Sequence, residues 1–119
     1  MAFPVCLVVD DDELIVRSFA RVLSRVAEVL TANSVDEARA VLATRSVHLL
    51  LTDFVMPDEA GDVLLRHVRD TQPTARRVLM TASRPERVEH FVDEGLAHEL
   101  MEKPAHISEL LQLVARLAS

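Results

Sequence analysis

Val5-Cys-Leu-Val-Val-Asp-Asp-Asp12 begins with five apolar residues, three of them β-branched, and ends in a run of acids. A short apolar run with no polar alternation reads as a strand buried on both faces, the habit of parallel sheets. Further along, Val47-His-Leu-Leu-Leu-Thr52 repeats the pattern and also stops at an acid, Asp53. Arg77–Thr81, carrying Val78-Leu-Met80, and the short stretch Glu99–Glu102 before Lys103-Pro104 read as two more strands, and Glu28–Ala32 as a weaker one. Between them lie helical stripes. Ile15, Phe19, Val22, Leu23 and Val26 recur at i, i+4, i+7, i+8 and i+11, one face of an amphipathic helix. Ser34-Val-Asp-Glu37 and Ser83-Arg-Pro-Glu86 have the S-x-x-E spacing of a capping box. The first opens a helix with Ala38, Val41 and Leu42 inward, and the second a helix through Val88, Phe91 and Val92 to Gly95. Pro57 and Gly61 break the chain after Asp53, before Val63, Leu64, Leu65 and Val68 mark a further helix. Ile107, Leu110, Leu111, Val114 and Leu117 make the last one.

Five strands thus alternate strictly with five helices. Alternation of this kind predicts a doubly wound α/β domain, a parallel sheet covered on both faces and joined by right-handed crossovers. The 119 residues suit one domain spanning 1–119. Nineteen acidic against thirteen basic residues give a net charge of −6, which repels a phosphate backbone. With no Tyr or Trp and four Phe there are few platforms for stacked bases, so direct nucleic-acid binding is not expected. The single cysteine, Cys6, reads as a small buried hydrophobe, and the five histidines lack metal-ligand spacing. No apolar stretch is long enough to cross a membrane, and a cytoplasmic location is expected.

Ligands of open α/β sheets bind beyond the carboxyl ends of the strands, where strand order reverses. Those ends are Asp10-Asp-Asp-Glu13, Asp53, Thr81-Ala-Ser83 and Lys103-Pro104. In the flavodoxin-like order 2-1-3-4-5, the first and third strands are neighbours, so Asp10 and Asp11 come near Asp53. Three carboxylates at one edge repel unless they hold a cation. Oxygen ligands suit Mg²⁺, which takes one or two carboxylates and a phosphate oxygen. A carboxylate can attack phosphorus to give an aspartyl phosphate, with Lys103 as a compact positive charge and the Thr81 hydroxyl as a donor.

The ordered set Val8-Val-Asp-Asp-Asp12, Asp53-Phe-Val-Met-Pro57 with Gly61, Thr81-Ala82 and Lys103-Pro104 resembles the receiver domain of bacterial two-component response regulators, over nearly the whole chain. The resemblance implies that Asp53 accepts a phosphoryl group. It implies Asp11 as a direct metal ligand, Asp10 acting partly through water, and the backbone carbonyl of Val55 completing the protein's share of a Mg²⁺ site, with Mn²⁺ as a substitute. Thr81 and Lys103 would contact the phosphoryl group, and the Lys103–Pro104 bond would be cis. The implied donor is a histidine kinase or a histidine phosphotransfer protein. The implied output is a change at the face of the fourth helix, fifth strand and fifth helix, read by an effector domain or another partner. Val55 and Ser83 would flank the path of the hydrolytic water. Such a domain is a signalling phosphoacceptor that assists its own chemistry, not an enzyme acting on a separate substrate.

Two positions depart from the family pattern. Leu100 stands three residues before Lys103, where an aromatic residue is usual, and Ala105 follows Pro104 where a bulkier apolar residue is frequent. Leu100 has no ring to swing, which keeps open a phosphorylation-independent interaction module. A Mg²⁺-dependent phosphohydrolase would need an acid or base two residues past Asp53, where Val55 stands. A serine hydrolase is excluded by the absence of G-x-S-x-G, and P-loop or dinucleotide binding by the presence of only two glycines.

Overall fold

The computed structural model describes residues 3–82 and 88–117. Five strands and five helices alternate: β1 (Val5–Val9), α1 (Glu13–Leu23), β2 (Glu28–Ala32), α2 (Val35–Thr44), β3 (Leu49–Asp53), α3 (Gly61–Thr71), β4 (Arg76–Thr81), α4 (Glu89–Asp93), β5 (Glu99–Glu102) and α5 (Ile107–Leu117). All strand pairs are parallel and the sheet order is β2-β1-β3-β4-β5, as expected of a doubly wound flavodoxin-like domain. Apolar strand residues alternate between two cores because successive side chains leave opposite faces of a strand. Leu7, Val9, Leu50 and Leu79 face α2, α3 and α4, while Cys6, Val8, Leu49, Leu51, Val78 and Met80 face α1 and α5.

Local chemistry sets the element ends. Asp12 caps α1 by accepting from the Leu14 N–H at 3.0 Å, and Ser34 caps α2 by accepting from the Glu37 N–H at 3.1 Å. The predicted strand Val47–Thr52 lies one to two residues later, because the Val47 N–H is taken by the Gln72 side chain at 2.8 Å. At its other end Asp53 pairs with Met80, and Phe54 donates to the Met80 carbonyl at 3.2 Å, so Asp53 is the last residue of β3. The fourth strand gains Arg76, whose N–H bonds the His48 carbonyl at 2.9 Å. Helix α4 ends where Gly95 turns left-handed at φ 78°, which lets Leu96 and Ala97 both donate back to the Phe91 carbonyl. The predicted Ser83–Glu86 box lies outside the described residues.

Candidate functional site

Apolar strands carry polar ends here, so burying the strands also draws Asp10, Asp53 and Thr81 into the carboxyl edge of the sheet. Asp10 is 0% exposed, Thr81 6% and Asp53 7%. Asp11 stays in solvent. Because β1 and β3 are neighbours, carboxylate oxygens of Asp10, Asp11 and Asp53 come within 4.8 Å of one another. The backbone N–H of Lys103 bonds the Thr81 carbonyl at 2.8 Å, and the Lys103–Pro104 bond is cis. The Lys103 ammonium lies 2.6 Å from Asp10 Oδ2 and 3.3 Å from Asp53 Oδ1, shared between two strand ends.

The electrostatics follow from burial and company. Burial raises the Asp53 carboxyl above its ordinary range; the Lys103 charge works against this and the Asp10 carboxylate with it. Burial alone would lower the Lys103 ammonium, but the bond to Asp10 and the charge of Asp53 outweigh it and hold the ammonium above its usual value. Asp10 Oδ1 accepts from the Asp12 N–H at 2.9 Å. Its buried Oδ2 meets the ammonium as an ion pair but has no aligned hydrogen-bond donor among the described residues. Three carboxylates against one ammonium leave two negative charges in excess, held on oxygen ligands. Such a set fits a hard divalent cation.

The predicted residues therefore gather, with two qualifications. Val55 occupies the loop leaving β3, its side chain 71% exposed. Ser83 lies outside the described residues. Gly61 is required where it stands, since a Cβ there would sit 2.2 Å from the Asp53 carbonyl oxygen. Leu100 is half-buried beside the α4 side of the core and pairs with Leu79. One residue with no signal in the sequence is Asp58, whose carboxylate reaches out of the same loop to the start of α2. An acid after Pro57 reads as a turn former, and only the folded chain reveals its partners.

A family model described as the response regulator receiver domain matches residues 6–115. The DNA-binding transcriptional regulator NtrC of Azospirillum brasilense is 31% identical over 98% of this chain, which covers 24% of that protein. The two-component response regulator ORR3 of Oryza sativa subsp. indica is 32% identical, over 90% of this chain and 86% of its own length. Against the first relatives it matches, the chain spans a quarter of their length or less. Among solved structures, a CheY-like receiver domain protein from Methanospirillum hungatei superposes with a TM-score of 0.91 at 25% identity, covering 98% of this chain and 95% of that one.

Proposed function

The chain belongs to the receiver-domain family of two-component response regulators, and from that premise we propose that Asp53 is its phosphoacceptor in a Mg²⁺-dependent reaction. The observation that carries the reading is the meeting of three carboxylates within 4.8 Å, two of them bridged by the Lys103 ammonium. Asp10, Asp11 and Asp53 would hold the ion, with the Val55 backbone carbonyl as a further ligand and Mn²⁺ as a substitute. When bound, the ion would offset negative charge on the transferring oxygens.

An Asp53 carboxylate oxygen attacks phosphorus of a phosphohistidine on a histidine kinase or histidine phosphotransfer protein. An O–P bond forms, the donor's P–N bond breaks, and the imidazole leaves with the electron pair. Lys103 supplies a fixed positive charge toward the phosphoryl oxygens, and the Thr81 hydroxyl donates to one of them. Phosphorylation then biases the face of α4, β5 and α5 between two arrangements. That face holds a groove of ≈ 370 Å³ lined by residues including Val92, His98 and Leu100, a seat for an effector domain or another partner. A cytoplasmic setting belongs to the same reading.

Intact mass after incubation with Mg²⁺ and a small phosphodonor tests it. One phosphoryl adduct is expected on this chain and none on Asp53→Asn. An adduct on both, or on neither, overturns the reading.

A further inference from the structure

The loop from Asp53 to Gly61 is tied down at three places. At its end the Gly61 N–H donates to the Phe54 carbonyl at 2.7 Å, closing the loop against β3. Met56 is buried in the core under α2 and α3. At the tip, Asp58 Oδ1 accepts from the Val35 N–H at 3.2 Å and Oδ2 from the Asp36 N–H at 3.0 Å, while Glu59 meets Arg39 at 2.7 Å. Ser34 takes the next two donors, with its hydroxyl accepting from the Glu37 N–H and its carbonyl from the Ala38 N–H. The first four N–H groups of a helix have no partner within it. In α2 the Ala38 N–H makes the first bond of the helix itself; of the partnerless donors before it, the Glu37 N–H is satisfied by the Ser34 cap and those of Val35 and Asp36 by a carboxylate from the loop beside the site. Bonds from a helix amino end to a carboxylate are favoured both by charge and by the helix dipole.

We propose that Asp58 is a positioning residue for phosphoryl acceptance: by seating the β3–α3 loop on the amino end of α2, it fixes the Val55 backbone beside Asp53. It never touches the donor and acts through the loop. The inference rests on the reading of Asp53 as acceptor.

The test compares this chain with Asp58→Ala, Asp58→Asn and Ser34→Ala. Mg²⁺ affinity is measured by calorimetry and phosphoryl uptake from a small donor by intact mass. Asp58→Ala is expected to weaken Mg²⁺ binding about tenfold, the lower end of the cost of losing a group that orients a metal ligand, and to slow uptake. Asp58→Asn keeps one acceptor oxygen and is expected to recover most of both. Ser34→Ala removes the other cap of the same helix and is expected to leave Mg²⁺ affinity within about twofold, a difference of under half a kcal/mol. The proposal falls if Asp58→Ala binds Mg²⁺ as this chain does. It also falls if Ser34→Ala weakens binding as much, because the effect would then follow helix stability and not loop position. In either of those cases loss of the adduct in Asp53→Asn leaves the acceptor reading intact, whereas an adduct surviving in Asp53→Asn sinks that reading itself.

Discussion

The two ends of the sheet bury polar groups in opposite ways. At the amino end, Arg77 is 5% exposed and spends its guanidinium on backbone carbonyls: Leu96 at 2.7 Å, Gly95 at 3.2 Å, Pro73 at 3.4 Å and Ala75 at 3.5 Å. Two histidines there substitute for ladder carbonyls. His48 Nδ1 accepts from the Val5 N–H and His98 Nδ1 from the Arg77 N–H, each at 2.9 Å, while the backbone N–H of each donates to the same residue's carbonyl. At the carboxyl end, charges face charges across Asp10, Asp11, Asp53 and Lys103, with two negative charges left over. Around Arg77 the polar groups are paired within the chain itself. The carboxyl end keeps capacity in reserve for something brought from outside, and that difference marks it as the working edge.

The largest expected effect lies at Arg77. Arg77→Ala strands four carbonyls and is expected to cost about 3 kcal/mol in denaturant unfolding, with the response to Mg²⁺ unchanged. A cost below about 1 kcal/mol would erase the contrast between the two ends. Next comes Lys103→Met, which leaves Asp10 and Asp53 without a counter-charge. About 2 kcal/mol of stability should be lost without divalent ions, and much of it should return when Mg²⁺ is added. An equal loss with and without Mg²⁺ would mean the carboxyl end holds nothing in reserve.

The smallest effect concerns His98. Partial loss of water pushes its imidazole below the ordinary 6.5, with Arg77 and Arg76 adding to the shift and Glu99 opposing it. The folded value is the lower one, so the stability it contributes is full above 6.5 and is lost as pH falls through the folded value. His98 is exposed, so the change should stay below about 1 kcal/mol. The fall in stability between about pH 7 and 5 should be smaller in His98→Gln, whose amide oxygen can still accept. An identical fall would show that the bond to Arg77 has no linked proton.

Much of this was legible in the sequence, for reasons tied to particular residues. Val5–Val9 and Ile107–Leu117 fold where their apolar patterns put them, since burial on two faces or one stripe leaves little choice. Asp53 and Lys103 were legible because they end strands at the edge where such sheets carry their sites. Arg77 and His98 were not. Inside an apolar strand an arginine looks like a solvated start, and the loops that wrap it come from Pro73 and Gly95, on either side of β4. Asp58 was hidden for the same reason, because its partners lie more than twenty residues earlier in the chain.

Cys6 carries a consequence of a different kind. It is the second residue of an interior strand, between Val29 and Leu49, 0% exposed, its thiol pushed up by burial to about 11. A thiol-labelling reagent can reach the chain's single thiol only when the sheet itself comes apart. The rate at which that thiol is consumed is therefore a clock for rare opening of the whole domain. Any ion or phosphoryl group that favours the closed chain slows the clock, so occupancy at the far edge of the sheet can be timed from its centre.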